Sequence, residues 1–419
     1  MKKVIGWSLL FYVVFELFMY WYLFYGTNGA IPAGFKGTNA DPATFMNARE
    51  LLLSQEYSSI KYFLYFVSAP LEWIFLLFIL VIGISKRFEA WAKQATKIKI
   101  LQLFLYYFQL SLLTTLLALP LKVIGYEISK SYHITTQSMA SWIRDQVIDF
   151  WINFALMFVV LGVLLWLIKK SEKRWWVYAW ALSIPFTIFL TFIQPVFIDP
   201  LYNTFTPLHN KELEQKILTM AAKANIPASR VYEVNMSEKT NSLNAYVTGI
   251  GKNSRIVLWD TTLKQLNDNE ILFIMAHEMA HYVKKHIYWG VAGYIVLSFV
   301  GLYMLSRILS WMLRKWKHIL QIPSLRSFSI IPLFFLISSV LSFAVSPLTN
   351  FVSRVEERAA DTYAMQMTHD KVAAVATFQD LSKTSLSQVN PPPVVKFFLY
   401  THPTIFERIE YLDNYDVGK

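Results

Sequence analysis

His277, Glu278 and His281 stand in the spacing His-Glu-Met-Ala-His, which on a helix places both imidazoles one turn apart on the same face, within reach of one ion. Two imidazoles plus an oxygen ligand, with one position left open, suit Zn²⁺ best among biological metals, at one ion per chain. Glu278, beside the first ligand, is placed to take a proton from a bound water. The chemistry this constellation offers is hydrolysis of a peptide bond. It needs a helix, and the flanking residues supply one: Asn267-Asp268 offer a cap, an apolar run from Glu270 to Ala276 leads into the motif, and Lys284-Lys285 follow where a helix C-terminus favours cations.

A third ligand must come from elsewhere. Lys284 and Ile287 occupy the positions where the HExxHxxGxxH pattern has glycine and histidine. His286 misses the slot by one residue, and its spacing suggests a loop or interface histidine. A carboxylate from a second helix is the usual alternative, and Ser353-Arg354-Val355-Glu356-Glu357-Arg358-Ala359-Ala360-Asp361 is the best source. Glu357 and Asp361 share a helical face, so one can bind metal while the other orients a ligand or a reacting group. Ala359 and Ala360 would let the two helices approach closely.

The elements that must position these residues lie in a membrane. Hydrophobic residues make up 55% of the 419, aromatics 16% and charged residues 16%, with mean hydropathy +0.37, well outside soluble norms. Seven apolar stretches are long enough to cross about 30 Å of hydrocarbon: Val4–Tyr25, Tyr62–Ser85, Ile100–Gly125, Phe150–Ile168, Trp175–Phe197, Ile287–Leu313 and Phe328–Leu348. The first is too long for a signal peptide and lacks a small-residue cleavage site, so it reads as an anchor. Glu16, Glu72 and Arg307 fall within spans, where charges usually face a cavity or one another. With no cysteine in the chain, disulfides and thiolate ligands are excluded.

The net charge of +11 does not mark a nucleic-acid site. Lys86, Arg87, Lys93, Lys97 and Lys99 fill the second loop, Lys169, Lys170, Lys173 and Arg174 the fourth, and Arg314, Lys315, Lys317 and Arg326 the sixth, whereas the longer first and third loops are poor in cations. That positive-inside pattern puts the N-terminus and the even loops in the cytoplasm and the HExxH segment on the far side. Residues 1–200 form a membrane domain with five spans. Residues 201–419 form the metallopeptidase domain, with two further spans at about 287–313 and 328–348. Within it, Lys211–Asn225 has helical periodicity, Arg230–Val234 reads as a strand, and Asn244–Gly249 and Arg255–Trp259 flank a hairpin turn at Gly251-Lys252-Asn253-Ser254. Such an edge can hold substrate as an added strand.

Together these motifs resemble the integral-membrane CAAX prenyl proteases of type I, the zinc enzymes that process farnesylated a-factor and prelamin A. The heat-shock membrane metalloproteases of bacteria are shorter relatives. The resemblance also rests on Phe197-Ile198-Asp199-Pro200-Leu201-Tyr202-Asn203, on Asn244-Ala245-Tyr246-Val247-Thr248-Gly249, and on Thr401-His402-Pro403 leading to Glu407-Arg408-Ile409. It implies a mainly α fold in which seven transmembrane helices enclose a chamber, with a zincin-like α+β catalytic domain carrying a small β-sheet. It makes Glu357, not Glu356, the third ligand beside His277 and His281. It puts His402 where it can hydrogen-bond an oxyanion, and gives Asp361 an orienting or proton-delivery role. Arg408 would support that cluster or a substrate carboxylate, and Asn244 would sit by the scissile carbonyl or hold the edge strand. Pro403 at the first position of the final helix gives His402 an alternative role as a helix-start residue.

The expected partners are the lipid bilayer and a peptide or protein substrate, prenylated or membrane-embedded. The final residues Asn414 to Lys419 lack a dilysine retrieval signal, which favours a bacterial plasma membrane over the endoplasmic reticulum. The membrane side of the catalytic domain stays open, because loop charge and family likeness disagree. Quality-control proteolysis, a transporter with structural zinc and a silent scaffold are the competing functions. Glu278 argues against the transporter, since a structural site needs no general base.

Overall fold

A computed structural model describes residues 2–26, 29–228, 230–248 and 255–416. The expected hairpin turn at 251–254 lies outside the described residues. Six helices carry the membrane character: α1 (Lys2–Trp21), α2 (Ala48–Val81), α4 (Lys99–Ser131), α5 (Met139–Lys170), α10 (His286–Leu320) and α11 (Ile331–Thr368). A seventh is added if α6 (Trp175–Ile193) and the bent segment after it count as one span, with a 42° bend between them. The seven spans read from the sequence thus correspond, among the described residues, to six long apolar helices and one bent pair.

Several helices outrun the bilayer. At 1.5 Å per residue α2 and α11 reach roughly 50–57 Å, against about 30 Å of hydrocarbon. At these lengths their ends extend past it, and the start of α2 carries a capping box. Asn47 accepts from the amides of Arg49 and Glu50 at the start of α2, while Glu50 returns a bond to the Asn47 amide.

The loops sort to two ends. Gly83, with φ +78°, breaks α2 from the amphipathic α3 (Ile84–Ala95). A Cβ there would lie 2.6 Å from the Gln321 side chain, whose amide donates to the Val81 carbonyl at 2.9 Å. Arg326 pairs with Glu172 at 2.7 Å, and the Glu89 carboxylate accepts from the Ser329 amide at 2.9 Å. All the basic loops therefore gather at one end. At the other end the α4–α5 connection docks on the polar segments: the Thr136 amide donates to Lys239 O at 3.1 Å and Asn241 donates to His133 O at 2.7 Å. The first loop joins there too, through Gln379 to Asn39 O at 2.9 Å.

That polar end carries a four-stranded sheet in the order β1-β2-β4-β3. β1 (Phe205–Pro207) pairs antiparallel with β2 (Val231–Val234), β2 runs parallel to β4 (Arg255–Trp259), and β3 (Ala245–Thr248) pairs antiparallel with β4, Ala245 opposite Leu258. The expected pairing of the last two strands is present, with β3 at the edge. Val231, Ile256 and Leu258 are fully buried beneath α7 (Lys211–Lys223) and α9 (Asp268–Val283), against Ile217, Met275 and Met279. Each such side chain contributes about 1.5–3 kcal/mol of burial. The short α8 (Asp260–Gln265) leads into α9, and α12 (Lys371–Thr384), α13 (Pro393–Leu399) and α14 (Ile405–Asp413) close the chain.

Candidate active site

α9 starts where the sequence placed it. Asn267 accepts from the amides of Asn269 and Glu270 at 2.9 and 3.2 Å, and Glu270 returns a bond to the Asn267 amide at 3.0 Å, satisfying donors that a helix N-terminus otherwise leaves bare. Its motif face packs on α11 through Phe273 and Ala276, which meet Ala364 and Met365. The second carboxylate motif, expected directly after the seventh span, does not begin a new helix. It is the continuation of that span, with Glu357 and Asp361 in the unbroken α11.

The side chains of His277, His281 and Glu357, a group that could hold a metal ion, converge between these helices. His277 Nε2 lies 3.1 Å from Glu357 Oε2, His281 Nε2 lies 3.5 Å from Glu357 Oε1, and the two Nε2 atoms are 3.3 Å apart. A tetrahedral ion with ligand bonds of roughly 2.0–2.1 Å sets its ligands about 3.3–3.4 Å apart, so the spacing fits a metal. Hydrogen bonding points the same way. Asp361 Oδ1 sits 2.9 Å from His277 Nδ1, which assigns the ring proton to Nδ1 and leaves the Nε2 lone pair facing a carboxylate oxygen. Glu357 Oε2 is buried without a hydrogen-bond partner among the described residues. Acceptors facing acceptors need a cation between them. Glu356 is not part of this group.

The surrounding charges are arranged around Asp361, which is fully buried. Arg408 donates from Nε to Asp361 Oδ2 at 3.0 Å and from Nη2 to Oδ1 at 2.5 Å. Its guanidinium stacks 4.0 Å over the Phe378 ring and lies 3.7 Å from Glu357. Burial pushes the His277 imidazole down, but Asp361 and Glu357 outweigh it and carry its pKa up to about 9. Burial and the neighbouring His277 lower His281 to about 4, keeping its ring neutral and available as a ligand. Burial raises Glu278 to about 7, in the range a general base needs near neutral pH; a cation beside it would lower that value.

His402 reaches the site, with Nε2 3.4 Å from Glu357 Oε1 and 56% of its side chain exposed. Its other ring nitrogen lies 2.9 Å from Thr401 Oγ1. Pro403 does not open the last helix. α14 begins at Ile405 with Thr404 as its cap, accepting from the Glu407 amide at 3.2 Å, so Pro403 precedes the cap and the helix-start role does not fall on His402. Asn244 lies just before edge strand β3. Its amide donates to Thr262 Oγ1 at 2.9 Å and its side-chain oxygen accepts from the Ala245 amide at 2.9 Å.

His286 was not expected here. Lys285 takes a left-handed conformation, φ +60°, which turns the chain so that α10 starts at once and His286 Nδ1 comes to 2.9 Å from His281 Nδ1. Far from being an interface residue, it buttresses the second histidine of the motif. A cavity of about 540 Å³ opens before this group, lined by His277, Glu278, Asn244, His402 and Arg408 and, on its far wall, by α2. Ser58, Lys61, Tyr62 and Tyr65 supply that wall. Their spacing of three and four residues was a readable polar stripe on an otherwise apolar helix.

Comparison with known proteins defines the class. Residues 207–416 match the model of peptidase family M48, and residues 22–204 match that described as "CAAX prenyl protease N-terminal, five membrane helices". The chain belongs to peptidase family M48 and is a membrane-embedded metallopeptidase. It is 52% identical over 99% of its length to "Uncharacterized metalloprotease YhfN" of Bacillus subtilis (strain 168), covering 97% of that protein. It is 28% identical to CAAX prenyl protease 1 of Saccharomyces cerevisiae, over 73% of this chain and 70% of the yeast one. The crystal structure of S. mikatae Ste24p shares the fold, with a TM-score of 0.80, 23% identity and 98% of both chains covered.

Proposed function

We propose that the chain is a zinc-dependent endopeptidase that cleaves peptides held at the membrane surface, with His277, His281 and Glu357 as ligands of one Zn²⁺. The observation that carries this reading is the 3.1–3.5 Å convergence of two imidazole nitrogens on the buried Glu357 carboxylate, whose Oε2 has no hydrogen-bond partner among the described residues. Two imidazoles and one carboxylate at these spacings, with no cysteine in the chain, would suit zinc. Zinc held there supplies Lewis acidity, which lowers the pKa of a water towards about 7.

The chain's own residues do the rest. Glu278 accepts the proton of the attacking water and passes it to the leaving amine. His402, part-exposed at the cavity, donates to the oxyanion that develops on the carbonyl. Asp361 fixes the tautomer of His277, and Arg408 fixes Asp361. The free edge of β3, with Ala245 at the cavity wall, offers substrate backbone a strand to pair with. CAAX-type peptides, the substrates named for the yeast relative, are the first candidates, followed by misfolded membrane proteins. The similarity to a Bacillus protein favours a bacterial plasma membrane.

Glu278→Gln tests the mechanism. The variant is expected to keep its metal and fold while losing hydrolysis of a farnesylated CAAX peptide by at least about 10²–10⁴-fold. Retained hydrolysis in the metal-replete variant would overturn the assignment.

A further inference from the structure

At the end of the molecule away from the active site, a second cavity of about 590 Å³ opens between α4, α5 and the α10–α11 connection. Its two halves differ in character. Towards the helix middles the wall is apolar, with Leu103 on α4 and Gly162, Leu165 and Trp166 on α5. Gly162 leaves the groove open: a Cβ there would meet only Leu103, at 3.8 Å. Towards the helix ends the wall is cationic, with Lys93, Lys99, Lys169 and Arg326. Lys93 and Arg326 are neutralised by Glu89 and Glu172 at 2.5 and 2.7 Å. Lys99 meets only the neutral Gln102 side chain, at 3.2 Å, and Lys169 forms no ion pair among the described residues.

Lys169 follows Trp166 and Gly162 at intervals of three and seven residues, so cation, aromatic ring and open groove share one face of α5. Lys99 begins α4, so both unneutralised cations sit at the edge of the apolar spans. We propose that this cavity is a binding site for one anionic phospholipid. The phosphate lies between Lys99 and Lys169, and an acyl chain follows the groove past Trp166 to Gly162. Charge complementarity selects this occupant. Basic loops gather at this end, and by the positive-inside pattern they face the leaflet rich in anionic lipid. A free inorganic anion would use the cations but not the apolar groove below them.

Native mass spectrometry of the full-length protein in neutral detergent tests the proposal, with phosphatidylglycerol and phosphatidylcholine of identical acyl chains as probes. One phosphatidylglycerol per chain should be retained roughly 10–30-fold more tightly than phosphatidylcholine, the effect of two lysines near one phosphate. The double variant Lys99→Gln, Lys169→Gln should abolish that preference. Gly162→Leu should weaken phosphatidylglycerol binding without changing the melting temperature, since the groove has room for the new side chain. Equal retention of the two lipids, an undiminished preference in the double variant, or displacement of the lipid by equimolar inorganic phosphate would overturn it. If Gly162→Leu does not fold, the lysine variant, which changes only exposed side chains, decides alone.

Discussion

Asp361→Asn separates metal-site geometry from general stability, because one buried carboxylate serves two donors at once. In the native site Oδ1 accepts from His277 Nδ1 at 2.9 Å, and both oxygens accept from Arg408, at 2.5 and 3.0 Å. Asparagine has one acceptor oxygen and one donor NH₂. Whichever way it turns, an N–H faces either the imidazole N–H or the guanidinium, so one charge-assisted bond becomes a repulsion. Loss of such an orienting partner typically weakens metal binding 10–100-fold, or about 1.4–2.7 kcal/mol. A buried cation stripped of its partner usually costs about 3–5 kcal/mol. Arg408 keeps the Phe378 ring and the Glu357 carboxylate nearby, which puts the expected loss at the low end, near 3 kcal/mol. Chelator competition on the purified protein measures the first quantity and chemical denaturation the second. A folded variant whose metal affinity stays within about twofold of wild type would refute the claim that Asp361 orients His277 for the metal.

Three further outcomes follow from the same geometry. Glu357→Ala should lower metal occupancy by elemental analysis, whereas Glu356→Ala should leave it near one per chain, since only Glu357 faces both histidines. His402→Ala should reduce kcat by roughly 10²–10³-fold with little change in KM, as an oxyanion donor acts in the transition state; normal turnover per folded molecule would remove His402 from the mechanism. Because the chain has no cysteine, single-cysteine variants at the exposed Lys223 and Lys173 report orientation without background. Loop charge predicts that an impermeant maleimide added to intact cells labels position 223 and spares 173; the reverse pattern would put the metal site in the cytoplasm.

The site was more legible in the sequence than the elements around it. HExxH and the pair Glu357 and Asp361 are spaced by helical periodicity, which survives folding unchanged, and the Asn267 cap announces its helix through residue types alone. His286 escaped because its place depends on a single left-handed residue, Lys285, that no spacing rule foresees. The α2 wall of the cavity was missed because the apolar stretch starts only at Tyr62, which left Ser58 and Lys61 in the first loop, whereas α2 starts at Ala48 and brings them onto one face with Tyr62 and Tyr65. β1 is three residues long and contains Pro207, so its strand character arises from pairing with β2 and not from propensity. The start of α14 was misplaced because proline suits several positions around a helix start, and only the Thr404–Glu407 cap distinguishes them.

The continuity of α11 makes the last membrane helix a measuring rod. Glu357 stands about 29 residues beyond Phe328, where the apolar stretch begins, and at 1.5 Å per residue that is roughly 44 Å along the axis. A hydrocarbon layer of about 30 Å beginning there would leave Glu357, the proposed third ligand, at headgroup depth beyond its opposite face. A bond is then in range only when its distance from the lipid matches that overhang. For the membrane-surface peptidase proposed above, distance from the bilayer would then help to sort substrates, and thinning or thickening the membrane would move the cut.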